Sequence, residues 1–438
     1  MTSKTENMDP TITDGASEEE QRIIIRGGKP LNGQVRLHGA KNAVLKMMAA
    51  ALLAKGTTVL KNVPNLSDVH MMANVLRHLG AKVTISGSEV EIDATDVHEW
   101  EAPYELVSKL RASFVVLGPL MARFREAKVS LPGGCAIGER KIDLHERGLK
   151  LLGAEVRIDH GYVIASAKKL TGTTIYLDRP SNGATENIML AAVGAEGTTI
   201  IENAAQDPEI VNLADCINAM GGKVEGAGTY QITIEGVPLE ELHGGVIDTI
   251  PDRVEGGTFM FATMVTGGDV LIEGIDPHHL YSVISKCSEM GAEISMYAPD
   301  MLRIKSERGK LKATDVTTHP YPGFPTDLQA LIMPVLCFTS GTSIITETIY
   351  ENRFMHAAEL RRVGADITIK GNSAVIKGVD KLMGAEVKSS DLRAAAALII
   401  AGFGAEGVTE VTELKHLDRG YENLEEKFRG LGADIWRR

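Results

Sequence analysis

The chain has 438 residues, more than one ordinary compact core accommodates, so two domains are expected. It is 44% hydrophobic, 24% charged and 5% aromatic, the composition of a soluble globular protein, which excludes fibrous and disordered classes. A net charge of -12 excludes a general nucleic-acid or anionic-membrane surface, because non-specific binding to phosphates needs clustered positive charge; an anionic ligand must be held locally.

Residues 1–21 are polar and acidic, with Glu18, Glu19 and Glu20 in a row. They lack the apolar core of a signal peptide and the acid-poor character of a transit peptide, and read as a disordered tail. The longest apolar runs further on, such as Ala394 to Gly404, are too short to span a bilayer and suit buried helices. Cys135, Cys216, Cys287 and Cys337 lack the close paired spacing of a zinc site, so a reduced, cytoplasmic protein without a structural metal is expected.

An apolar helix from Ala43 to Ala54 opens the ordered chain. A glycine and a β-rich run follow it, Gly56-Thr57-Thr58-Val59-Leu60, and then an amphipathic helix with Val69, Met72, Leu76 and Leu79 on one face, closed by Gly80. A further strand, Lys82-Val83-Thr84-Ile85, comes next. The helix-closing glycine recurs at Gly153, Gly221, Gly291, Gly364 and Gly432, every 68 to 73 residues, and its expected role is the left-handed cap. Six repeats of mixed strand and helix are implied. The helices that are apolar all round belong inside and the strands outside.

Positions that break the shared pattern are candidates for function. Eight residues before the closing glycine, four repeats carry Met72, Leu213, Val283 and Leu424, whereas the second and fifth carry His145 and His356. The fifth adds Arg353 at the next apolar position. Buried, such groups need partners, so these helices are expected to face a polar cleft. Arg140 and Arg419 stand just ahead of their helices. Lys41, Arg111, Arg253 and Arg393 stand at the start of the buried helices, where the helix dipole disfavours a cation and a bound anion would favour one. For Arg253 and Arg393, ion pairs with Asp252, Glu255 or Asp391 are an alternative account. In the second repeat the strand-to-helix turn becomes Leu131-Pro132-Gly133-Gly134-Cys135-Ala136-Ile137-Gly138, a glycine-rich loop whose thiol, near cations, could act as acid or nucleophile. Cys216, Cys287 and Cys337 lie in apolar patterns and are expected to be inert.

Five stretches in order carry a resemblance: Gly39-Ala40-Lys41-Asn42-Ala43, Pro132-Gly133-Gly134-Cys135-Ala136-Ile137-Gly138, Phe324-Pro325-Thr326-Asp327, Glu351-Asn352-Arg353-Phe354-Met355-His356 and Asp418-Arg419-Gly420-Tyr421-Glu422. From about Ile23 to the C-terminus the chain resembles the UDP-N-acetylglucosamine 1-carboxyvinyltransferase family of enolpyruvyl transferases. The resemblance implies an α/β fold, a two-domain inside-out α/β barrel of six repeats, three per domain, with helices inside, sheets outside and the substrates in the cleft. It divides the chain into a discontinuous catalytic domain, 22–40 plus 251–438, and a second domain, 41–250, that carries the cysteine loop 132–140; the chain would cross near Ala40 and Ile250.

The reaction implied moves the enolpyruvyl group of phosphoenolpyruvate to the 3-hydroxyl of UDP-N-acetylglucosamine and releases phosphate, the first committed step of peptidoglycan precursor synthesis, with no cofactor and no metal. By resemblance Cys135 is the general acid and the site of a covalent adduct, Asp327 the base, and Lys41 and Arg419 complete the catalytic set. Lys41, Asn42, Arg111, Arg140, Arg353, Arg419 and Asp391 would bind phosphoenolpyruvate. Arg111, Arg140, Lys141, Ile142, Asp143, Leu144, Arg179, Ser181, Asn182, Gly183, Asp327 and Ile349 would bind the nucleotide sugar, with His145 orienting the 140–144 stretch. The chain departs from the family pattern at Lys141, where proline is usual, Arg179, where lysine is frequent, and Asp207, where glutamate is frequent; these changes bear on affinity more than on chemistry. Two other readings compete: the sister 3-phosphoshikimate 1-carboxyvinyltransferase, which lacks the cysteine motif, and a catalytically silent nucleotide-sugar-binding paralogue, which predicts a lost catalytic residue. Partners are the two small-molecule substrates, with no nucleic acid and no membrane.

Overall fold

Glycine-bounded β-rich runs and apolar helices alternate along this chain, and among the described residues they assemble as six four-stranded sheets laid against two clusters of buried residues. The computed structural model describes residues 21–131 and 141–438; the acidic stretch 1–20 and the loop 132–140 lie outside the described residues.

The amphipathic helices are Ser67–His78, Asp143–Leu151, Pro208–Ala219, Tyr281–Glu289, His356–Arg362 and Leu424–Gly430. Each ends one to three residues before a glycine whose φ lies between 91° and 103°, at Gly80, Gly153, Gly221, Gly291, Gly364 and Gly432. A side chain there would be forced into the left-handed region, which is why glycine stands at each of these caps.

The apolar helices lie beneath the sheets. Every residue of Arg253–Thr266 is buried, as is all of Leu392–Gly404 after its first residue and all of Thr326–Cys337 from Leu328 onward. Aspartate side chains start two of them: Asp252 Oδ1 accepts from the N–H groups of Val254 and Glu255 at 2.8 and 3.2 Å, and Asp391 Oδ1 from those of Arg393 and Ala394 at 2.9 and 3.0 Å. Such caps contribute about 1 kcal/mol each. The expected uniform helix is not found everywhere. Lys41–Ala50 tightens into a 3-10 turn, Ala51–Leu53, and Leu117–Phe124 is preceded by the 3-10 segment Arg111–Val116. That change of helix type puts Pro119 in a first turn, where its missing N–H leaves no bond unmade.

In each sheet one pair of strands is parallel, in four of them strands consecutive in the chain, as Glu386–Lys388 with Val408–Thr412, and in two of them strands far apart in sequence. Thr57–Lys61 takes Val246–Asp248, and Asp269–Glu273 takes Asn32–Arg36. The other strands of each sheet run antiparallel. One buried cluster extends from Ala40 to Ile247, and the other joins Ile23–Leu37 with Val254–Ile435. The chain passes between them at two adjacent points: the Ala40 N–H donates to the Ile250 carbonyl at 2.7 Å and the Asp252 N–H to the His38 carbonyl at 2.8 Å. Gly39 lies so close to the neighbouring backbone that a Cβ there would sit 1.8 Å from the Asn62 carbonyl oxygen. Among the described residues, no helix is long and apolar enough to cross a membrane.

Candidate active site at the junction of the two cores

Lys41 is the first residue of the helix Lys41–Ala50, whose start has no side-chain cap. Only 9% of it is exposed, and a buried ammonium needs a counter-charge. Asp68, in the first turn of Ser67–His78, supplies one: its Oδ2 accepts from Lys41 Nζ at 2.9 Å. The other oxygen, Oδ1, accepts from Arg419 Nε at 2.8 Å. Arg419 ends the 3-10 segment Leu414–Arg419, which belongs to the second core. Burial pushes the Lys41 ammonium below the usual lysine range; Asp68 opposes the fall, and Arg393 and Arg419 add to it.

Asp327, in the first turn of Thr326–Cys337, stands between two arginines. Arg353 Nη2 donates to Oδ1 at 2.7 Å and Arg393 Nη2 to Oδ2 at 2.8 Å. Both arginines are buried, at 5% and 6% exposure, and Arg353 also packs over the Tyr350 ring. Two buried nitrogens in this group, Arg353 Nε and His356 Nε2, have no hydrogen-bond partner among the described residues, an arrangement that is costly to leave unfilled. His356 is held neutral: burial lowers it to about 4, with Asp391 opposing and Arg353 assisting. Arg393 is near enough to Lys41 to lower its pKa, so the two clusters are neighbours: Lys41 and Arg419 on Asp68, Arg353 and Arg393 on Asp327. Each of these two carboxylates meets two cations.

Asn42 is half-buried in the first turn of Lys41–Ala50, and Asp391 caps Leu392–Gly404. Ile349 is tied to the Asp327 helix through Glu347, a residue that sequence reasoning passed over: the buried Glu347 carboxylate accepts from the Ile349 N–H at 2.7 Å and from the Thr318 and Thr326 hydroxyls at 2.9 Å each.

A second group of expected residues comes together on the first core. Arg179 Nη2 donates to both Asp143 oxygens, at 2.7 and 3.0 Å, joining the stretch 141–144 to the stretch 179–183. Ser181 caps the helix Asn182–Ala192. Gly183 lies against the His145 ring, where a Cβ would meet it at 3.2 Å. His145 Nδ1 pairs with the Asn187 amide at 3.0 Å and its ring packs edge-on to Phe114. Burial lowers this histidine to about 4, and Arg111, which heads Arg111–Val116, adds to the shift. Ile142 precedes the helix Asp143–Leu151, Leu144 is buried within it, and Lys141 is exposed.

Cys135 and Arg140 lie outside the described residues. The other cysteines are free, buried thiols, pushed up by burial, Cys216 and Cys337 to about 12. The ion pairs considered for Arg253 and Arg393 differ from those found. Arg253 engages Asp207 and Glu209, and Arg393 engages Asp327, because Asp252 and Asp391 are occupied capping their helices and Glu255 takes Lys427 at 2.6 Å. The sequence left Arg393 level with Arg253; the shared Asp327 places it in the site.

A sequence profile of the family described as EPSP synthase (3-phosphoshikimate 1-carboxyvinyltransferase) matches residues 25–428. The chain belongs to the EPSP synthase family of enolpyruvyl transferases. Within this enolpyruvyl transferase family, it is 54% identical over 417 residues, 95% of this chain and 99% of the relative, to UDP-N-acetylglucosamine 1-carboxyvinyltransferase 2 of Carboxydothermus hydrogenoformans. It is 52% identical, with the same coverage, to UDP-N-acetylglucosamine 1-carboxyvinyltransferase 1 of Caldanaerobacter subterraneus subsp. tengcongensis. Among solved structures, the enolpyruvyl transferase NikO from Streptomyces tendae superposes with a TM-score of 0.87 at 26% identity, covering 95% of this chain and 99% of that one. EPSP synthase from Acinetobacter baumannii shares the fold, with a TM-score of 0.73 at 19% identity, covering 96% and 100%.

Proposed function

We propose that this enolpyruvyl transferase moves the enolpyruvyl group of phosphoenolpyruvate onto the 3-hydroxyl of UDP-N-acetylglucosamine and releases phosphate, the first committed step of peptidoglycan precursor synthesis. The observation that carries the reading is the group of cations at the junction: among the described residues, Lys41, Arg353, Arg393 and Arg419 make their carboxylate ion pairs with Asp68 and Asp327, two cations to each. Phosphoenolpyruvate brings a phosphate and a carboxylate to such a site, and fixed cations there stabilise charge without reorganising. The acceptor follows from the relatives at 52–54% identity, which are named for UDP-N-acetylglucosamine.

In this reading Lys41, Asn42, Arg140 and Arg419 take the phosphate, and Arg353 and Arg393 take the carboxylate. Arg111 and Asp391 line the same pocket. Cys135 delivers a proton to the methylene carbon, and can instead bond to C2 as an adduct. Asp327 removes the proton of the sugar hydroxyl as its oxygen bonds to C2, giving a tetrahedral intermediate. Loss of a methyl proton and of phosphate then restores the double bond. Arg179, Ser181, Asn182, Gly183 and the stretch 140–144 hold the nucleotide, with Ile349 beside the sugar. The fold reading goes with it: six repeats, three in each of two domains, form an inside-out α/β barrel, with domains 22–40 plus 251–438 and 41–250. The six sheets and two core clusters support that division. The buried free thiols suit a cytoplasmic protein.

Mass spectrometry of the products tests the chemistry. A mixture of chain, phosphoenolpyruvate and UDP-N-acetylglucosamine should yield an enolpyruvyl ether of the nucleotide sugar, one per phosphate released. A thiol-alkylating epoxide of the fosfomycin type should stop it, and Cys135→Ser should lose most turnover. Cys135→Asp, which can still donate a proton, should turn over and resist the epoxide. An unmodified nucleotide sugar, or equal inhibition of the Cys135→Asp form, would contradict the reading.

A further inference from the structure

Asp68 has no part in the chemistry above, yet it touches two of the cations that the chemistry uses. An acid in the first turn of a helix is ordinary where it is exposed, since the helix dipole favours it. This one is 2% exposed, and a buried carboxylate is tolerated only when its charge is met. Its two oxygens are divided between Lys41 Nζ, at 2.9 Å, and Arg419 Nε, at 2.8 Å. Lys41 heads a helix of the first core, and Arg419 ends a segment of the second. The chain around each partner is fastened twice more, by the Asn65 N–H, just before the helix, donating to Glu422 Oε2, just after the segment, at 2.8 Å, and by the Ser67 hydroxyl donating to the Asp418 carbonyl at 3.5 Å.

We infer that Asp68 is a positioning residue: its carboxylate sets Lys41 and Arg419, one from each core, at the spacing that receives the phosphate of phosphoenolpyruvate. The inference rests on the function proposed above. One carboxylate between two cations leaves a net positive charge facing the ligand, while neither cation can turn away from it.

The arrangement also governs the lysine's proton. Burial works to discharge Lys41, and Arg393 and Arg419 work the same way; Asp68 is the carboxylate that opposes them. The other charged groups on elements packed against this helix are engaged elsewhere. Glu209 on Pro208–Ala219 is taken up by Arg253, Lys46 on Lys41–Ala50 itself by Glu186, and Arg111 bears on His145. His416, on the segment that carries Arg419, is itself held below the usual histidine range by burial. Asp68→Asn keeps the shape and removes the charge, so Lys41 should lose its proton at a lower pH.

The test is steady-state phosphate release from phosphoenolpyruvate with UDP-N-acetylglucosamine, followed against pH, for the wild type, Asp68→Asn and Asp68→Glu. Asp68→Asn should lower kcat/KM for phosphoenolpyruvate about 10- to 100-fold and shift the alkaline limb to lower pH by about one unit. Asp68→Glu keeps the charge but changes the reach, so it should lose rate with the limb in place. Calorimetric affinity for UDP-N-acetylglucosamine should be the same in all three. A slower Asp68→Asn enzyme with an unmoved limb is what a merely structural role gives, and overturns the inference. If Asp68→Asn does not fold, Asp68→Glu decides: a raised KM for phosphoenolpyruvate with the urea midpoint and the nucleotide-sugar affinity of the wild type upholds the inference, and a wild-type kcat/KM, or a loss of rate matched by a fall in urea midpoint, overturns it. A wild-type chain that releases no phosphate sinks the proposed function and this inference together, whereas normal wild-type turnover beside an unmoved Asp68→Asn limb sinks the inference alone.

Discussion

Two groups of buried arginine and carboxylate lie near the junction of the two cores, and they differ in stoichiometry. At the first, Arg253 forks onto Glu209, with both bonds at 3.0 Å, and reaches Asp207 at 2.7 Å: one cation meets two buried acids. At the second, Arg353 and Arg393 share the carboxylate of Asp327, which is 29% exposed, and Arg353 Nε has no partner among the described residues. A cation saturated by buried acids is a joint between the cores. A surplus of buried cations with a spare donor is a place for an anion. Arg253 and Arg393 each follow closely behind an aspartate at the head of an apolar helix, so only the partners separate the two cases.

Breaking the joint should have the largest effect on folding. Arg253→Met strands two buried acids and should cost about 3–5 kcal/mol of stability, read from urea unfolding; a change below 1 kcal/mol would mean that the fork is not what joins the cores. Breaking the site should act on turnover instead. Arg393→Met should lower kcat/KM for phosphoenolpyruvate by about 10²–10³, with its urea midpoint close to the wild type's. A matching loss of stability with intact turnover would reverse the assignment.

His356 sharpens the contrast through pH. Burial holds it to about 4 in the folded chain, against Asp391 and with Arg353, whereas an unfolded histidine titrates near 6.5. Between those values the unfolded chain binds a proton that the folded chain refuses, so stability rises with pH across the window and is lost as pH falls from about 6.5 towards 4. The contribution is about 1–3 kcal/mol. His356→Gln should therefore show a shallower fall in urea midpoint between these pH values, and parallel curves would contradict a buried neutral imidazole. The smallest effect belongs to Arg179, whose pair with Asp143 is exposed. Arg179→Lys should change the calorimetric Kd for UDP-N-acetylglucosamine by less than about fivefold; a larger loss would mean that the guanidinium fork itself grips the nucleotide.

Local pattern made much of the fold legible. The spacing of Val69, Met72, Leu76 and Leu79 before Gly80 marks a helix and its stop, because both depend on residues a few positions apart, and Gly80 indeed has a φ of 102°. The parallel partner strands were not legible. Val246–Asp248 meets Thr57–Lys61, and Asn32–Arg36 meets Asp269–Glu273, across separations that no local periodicity encodes. The site was legible where a residue broke the repeat, as His356 and Arg353 do. It was hidden where the residue suited its local setting for another reason. Asp68 looks like any acid in a first helical turn, and Glu347 like any acid after a strand. Arg393 reads like Arg253 because the carboxylate that separates them, Asp327, is 66 residues away.

Enolpyruvyl transfer to the nucleotide sugar is tested by measuring phosphate release from phosphoenolpyruvate by the intact chain, with UDP-N-acetylglucosamine or shikimate 3-phosphate as acceptor. Release that depends on the nucleotide sugar, with none for shikimate 3-phosphate, is the predicted result; release with shikimate 3-phosphate, or with neither acceptor, would contradict it.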